Sequence, residues 1–207
     1  MKTILSALVA AAITFLPLQL NAEEPIDSTS PLFAGLKANE GANFNQLSLR
    51  TNLIPWIAVI PNIGAALSFS KHWSAGLDVW YCPWVINAKH SLKCGLILPE
   101  VRWWPKTSVK GHYLNIHLSL GWYNLRYEDY RYQDSDRPLM GAGIGYGYLL
   151  EFNRHFGMEF SIGVGFINTR YNTYYNVPNG ALMDTKISNY FGVDRLAVSL
   201  VYNLGDL

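Results

Sequence analysis

The sequence predicts an eight-stranded antiparallel up-and-down transmembrane β-barrel behind a cleaved signal peptide. Three observations predict it. Eight runs alternate strictly between apolar residues and small or polar ones. The apolar side of every run is free of Asp, Glu, Lys and Arg, in a chain that is 15% charged. The connections between runs alternate between short and long along the whole chain. A charge-free face repeated in every strand is what lipid contact demands, and short turns at one end with longer loops at the other are the habit of outer-membrane barrels.

The elements follow in order. Residues 1–22 read as a secretory signal: Lys2, an apolar stretch from Ile4 to Leu16, and Ala22 before Glu23-Glu24. Residues 23–43, with Pro25, Ser28, Thr29, Ser30 and Pro31, have no period and read as a flexible periplasmic segment. Residues 44–207 hold the barrel. Its runs are 47–53, 63–70, 73–82, 94–104, 113–123, 140–150, 156–166 and 195–204. At 7 to 11 residues each, they approach the roughly ten residues that a tilted strand needs to cross a 25 Å apolar band. Outside the signal, no stretch of about 18 apolar residues is present, so no helical span is expected.

The short connections are 71–72, 105–112 and 151–155; the long ones are 54–62, 83–93, 124–139 and 168–194. This order places both termini in the periplasm. Aromatic residues gather near run ends, among them Trp73, Tyr81, Trp103, Trp122, Tyr148, Phe156, Phe166 and Tyr202, as girdles at two headgroup levels would. A soluble barrel would bury the apolar face and show water a Lys- and Glu-rich one. Here the opposite face is rich in Gly and Ser and contains no Lys.

That opposite face has the only concentrated chemistry. Arg50, Arg102 and Arg195 point inward with Asp78, Glu100 and Glu159. Buried charges are costly unless paired, and Arg forks suit carboxylates, so these six predict an ion-pair network that plugs the lumen. The rival reading is a polar path for a small solute or ion. Gly141, Gly143, Gly145 and Gly147 face the same interior as Gly157, Gly163 and Gly165. That bare wall makes room for opposing rings or leaves a small cavity. Cys82 and Cys94 share the inward parity beside the second outer loop, where an oxidising compartment favours a disulfide. Free thiols are the alternative.

Other chemistry is thin. His117 and Ser119 lie two apart, as in outer-membrane lipid A deacylases, but their parity turns them inward, away from acyl chains. A non-enzymatic protein is expected. The G-x-G-x-G run lies inside a strand with no helix after it, so no nucleotide cofactor is expected. The histidines show no metal-ligand spacing. A net charge of +1 gives no case for nucleic acid. The third and fourth outer loops hold Tyr127, Tyr130, Tyr132, Tyr171, Tyr174 and Tyr175. These could grip an extracellular protein or glycan, or simply mark strands that extend above the membrane as hairpins. Lipid is the expected partner of the barrel wall.

Several ordered segments carry a family likeness: Arg50-Thr51-Asn52-Leu53, Pro61-Asn62-Ile63-Gly64, Lys71-His72-Trp73-Ser74, Glu100-Val101-Arg102-Trp103-Trp104, Gly111-His112-Tyr113, residues 141–148, residues 161–166, Phe191-Gly192 and residues 197–201. In this order they resemble a family of small outer-membrane barrels of Gram-negative anaerobes known only as a domain of unknown function. Where that pattern often has Pro-Thr-Lys after Phe-Gly, this chain has Val193-Asp194-Arg195. The resemblance implies an OmpA- or OmpX-like transmembrane barrel and brings no established activity.

Overall fold

The computed structural model describes residues 46–106 and 110–206. The expected signal peptide and the 23–43 segment lie outside the described residues. Nine strands and one short helix follow in order: β1 Gln46–Asn52, α1 Leu53–Ile57, β2 Asn62–Ser70, β3 Trp73–Val85, β4 His90–Trp103, β5 Gly111–Tyr127, β6 Tyr130–Asp134, β7 Leu139–Glu151, β8 Phe156–Tyr175 and β9 Leu182–Asp206. None of the described helices is long and apolar enough to cross a membrane.

All pairings are antiparallel, and consecutive strands other than β6 and β7 are neighbours in an up-and-down order. The first and last strands close the ring, with Leu49 opposite Tyr202 and Asn52 opposite Ser199. Strands β6 and β7 lie end to end between β5 and β8. The tip of β5 pairs with β6 and its body with β7, while β8 does the same on the other side. Nine strands therefore fill eight places around the ring.

Two-residue periodicity divides each strand between the inside and the outside of the ring. On β5, Ile116 is 65% exposed, whereas its neighbours Asn115 and His117 are 3% and 1% exposed. The apolar residues form the outer face and the charged and small residues the inner one.

The structure corrects the extent of the strands. Most of the residues expected in the three later outer loops are strand, and β8 and β9 reach 20 and 25 residues. The connections left at that end are 86–89, 128–129 and 176–181. The loop at 54–62 contains α1, whose N-cap Asn52 accepts a hydrogen bond from the Ile54 N–H through its side chain. Leu53, expected on the apolar face of the first run, begins this helix instead. At the opposite end, Asn153 Oδ1 accepts from the N–H groups of His155 and Phe156 and fixes a tight turn.

Candidate functional site

Six strands send charged or ring side chains to one level of the interior. From β1, Arg50 donates through Nε and Nη2 to both oxygens of Asp78 on β3, at 2.6 and 2.9 Å. Its Nη2 also reaches Glu100 Oε1 on β4. Arg102, two residues along β4 on the same face, donates from Nε to Glu100 at 2.8 Å. Its two Nη groups grip Glu159 on β8 at 2.7 and 2.9 Å. On β9, Arg195 donates to Asp78 at 2.8 Å, and its Nη1 lies 2.9 Å from Glu100 without hydrogen-bond alignment. All six residues expected inside are thus brought together, with planar guanidinium forks on carboxylates as the chemistry of Arg favours.

Beneath the network, Tyr113 lies against Arg102, whose Cζ is 4.5 Å from the ring centroid. Trp104 packs against Tyr113 with centroids 4.7 Å apart, and its indole N–H is satisfied by Ser74 Oγ at 2.9 Å. These rings, with Leu149 and Val201, form the apolar part of the interior.

One charged pair was not legible in the strand parity. Asp194 has a fully buried side chain, and its Oδ2 lies 2.9 Å from His117 Nε2 on β5. The cause is a β-bulge. Arg195 is opposite Gly163 and Val193 opposite Val164, which leaves Asp194 as the extra residue of β9. A bulge re-aims a side chain and reverses the alternation, so Asp194 and Arg195 both serve the interior. The signal was in the sequence: Ile187, Phe191 and Val193 are odd-numbered outer residues, whereas Leu196, Val198 and Leu200 are even-numbered ones.

The environment of His117 fixes its role. Asn115 donates through Nδ2 to Glu100 Oε2 at 2.8 Å, which turns its carbonyl oxygen toward His117 Nδ1 at 3.3 Å. Both ring nitrogens therefore face oxygen atoms, Asn115 Oδ1 and Asp194 Oδ2. Ser119, on the same face, has no hydrogen bond to His117.

The glycine wall of β7 and β8 makes room rather than a void. In register, Tyr113 faces Gly147, Asn115 faces Gly145 and His117 faces Gly143. A Cβ on Gly143 would lie 2.6 Å from both His117 Nε2 and Asp194 Oδ2; Cβ atoms on Gly147 and Gly165 would collide with the Tyr113 ring and the Asp194 carboxylate. The absence of side chains on one wall is what admits large polar ones from the facing strands.

Cys82 and Cys94 are directly opposite each other on β3 and β4, as the sequence predicts, and both are free thiols in this structure. The six tyrosines are on strands rather than in loops. Tyr127, Tyr130, Tyr132, Tyr171 and Tyr175 continue the inner face upward; Tyr174 is on the outer face, under the Arg131 guanidinium at 4.8 Å. This is the hairpin-extension alternative.

No curated protein and no solved structure matches the chain. A family model does, over residues 31–204, under the description "Protein of unknown function (DUF3575)". With most of its length matched, a ring of strands around a charged interior, this chain belongs to the DUF3575 family.

Proposed function

We propose that the chain is an outer-membrane β-barrel of a Gram-negative cell, with a plugged lumen and a structural or surface-interaction role. One observation carries the reading: a belt of the outer face is apolar on every strand except the short β6, and the charges at that level are inside. Soluble monomers rarely expose apolar patches beyond a few hundred Å², and a continuous apolar belt calls for a hydrocarbon partner.

The belt has defined limits. On β8 it runs from Phe156 to Phe166, ten residue steps, which at a typical strand tilt spans about 25 Å. Above it the outer face of two strands turns polar: Asn168 and Arg170 follow on β8, and Asn124 and Arg126 follow Trp122 on β5. Rings mark both borders, with Tyr81, Trp122 and Phe166 at one level and Trp73, Trp103, Tyr148 and Tyr202 at the other.

Inside, ion pairs from opposite walls fill an eight-place ring, which is just wide enough for its own side chains. This favours a closed interior over a channel. A hydrolytic role finds no support either, because Asn115 and Asp194 occupy both nitrogens that could serve Ser119 as a base. The membrane topology is open to direct test. An epitope inserted at residues 178–179 should be reached by antibody on intact cells, and one at residues 153–154 only after the outer membrane is permeabilised. The reverse pattern, or labelling of neither in a membrane fraction, contradicts the reading.

A further inference from the structure

Above the charged network the inner face of the ring becomes a ladder of aromatic residues. Tyr127 on β5 is opposite Tyr130 on β6, which is opposite Tyr175 on β8; His90 on β4 extends the row beside Tyr127. Directly paired residues on one sheet face lie about 4.5–5.5 Å apart, so the row spans four strands without a gap. His90 meets Tyr127 edge-on at 5.6 Å, and Tyr130 stacks toward Tyr175 at 6.5 Å. One step deeper, Tyr132 lies between Tyr130 and Tyr171, at 6.5 and 6.2 Å. The rim rings are open: Tyr127 and Tyr175 are each 48% exposed and Tyr130 is 40% exposed.

The cations on this rim face are matched by carboxylates. Lys186 lies 3.1 Å from Asp184, and Glu128 has Lys89 and His90 at 3.9 and 3.2 Å. Asp134 accepts from the Tyr123 backbone N–H. Asp129, in the turn between Tyr127 and Tyr130, is the one rim carboxylate in that turn with no cation beside it among the described residues, so the site offers no cation for an anionic ligand. It offers ring faces interleaved with the hydroxyl groups of Tyr127, Tyr130 and Tyr175.

A saccharide is the complement of such a surface. Each sugar unit has an apolar C–H face that stacks on an aromatic ring and a rim of hydroxyl groups that pair with polar tips. A polypeptide partner would instead seek a desolvated pocket for an aromatic or Arg anchor, which an open ladder does not provide. We propose that the outer rim binds a neutral oligosaccharide, with its sugar units laid along His90, Tyr127, Tyr130 and Tyr175. This rests on the reading that the long-hairpin end faces outward from the cell.

The test uses the full mature chain in detergent micelles and a panel of neutral hexasaccharides built on glucose, mannose, galactose and N-acetylglucosamine. An acidic polygalacturonate and a casein peptide digest are included, and binding is followed by titration calorimetry. Saturable binding of at least one neutral hexasaccharide is expected, weakened tenfold or more by Tyr130→Ala and by Tyr175→Ala. Tyr174→Ala, on the outer face, should leave it unchanged. Failure of every neutral hexasaccharide, equal binding by all variants, or binding of the peptide digest alone overturns the site. A heat-modifiable gel shift in each sample separates the two readings: no binding with the shift intact overturns the saccharide site only, and loss of the shift in the unaltered chain overturns both.

Discussion

Replacing Arg102 by alanine is expected to cost about 3–5 kcal/mol of folding free energy, the range found when a buried ion pair loses one partner. Arg102 donates three hydrogen bonds, and both oxygens of Glu159 depend on it. Without it, the nearest cation to Glu159 is Arg50 Nη1 at 3.7 Å, too far for a good hydrogen bond. Lysine should rescue little, because a single ammonium cannot reproduce two parallel N–H···O bonds. Changing Arg102 and Glu159 together to methionine should recover much of the loss, since Glu100 retains Arg50 and Asn115 as hydrogen-bond donors. Urea unfolding of the protein in lipid vesicles measures both variants. Equal losses in the single and double variants would mean that the uncompensated carboxylate is not the source of the cost.

His117→Leu is expected to have an effect of similar size for a sharper reason. The Asp194 side chain is wholly buried, its Oδ2 has His117 as hydrogen-bond partner, and its Oδ1 has none. Leucine keeps the volume but strands the carboxylate, at about 3–5 kcal/mol. A second change, Asp194→Ala, made with His117→Leu, should restore part of the stability by removing the stranded charge. If His117→Leu alone costs under about 1 kcal/mol in the same unfolding assay, the His117–Asp194 pair is not what holds β9 against β5 at the bulge.

The parts of this fold that were legible share a cause. Where one strand face is uniformly apolar, period-two alternation is unmistakable, and it assigned Arg50, Asp78, Glu100, Arg102, Glu159 and Arg195 to one interior. Alternation failed at two kinds of place. At Asp194 a single inserted residue reverses the parity, so the alternating run starts only at Arg195 and this charge reads as part of the 168–194 loop. Beyond Trp122 and Phe166, β5 and β8 continue as strands, but their outer residues become Asn and Arg while Tyr occupies the inner face. The contrast that hydrophobic patterning depends on is inverted there, and regular β-structure reads as loop. The glycine wall was visible as composition, but its purpose emerged only with the register that sets Tyr113, Asn115 and His117 against it. Helix α1 is too short, at five residues, to show any helical period.

The apolar belt itself can be tested with a single charge. Ile144 is mid-strand on β7, 63% exposed, with Ile116 and Val164 as its outward neighbours on β5 and β8. Hydrocarbon contact makes Ile144→Arg cost about 2–4 kcal/mol when folding is measured in lipid vesicles. Water at the same position would make it an ordinary surface substitution, within about 0.5 kcal/mol. The larger penalty is the expected result, and a change within 0.5 kcal/mol would contradict the account.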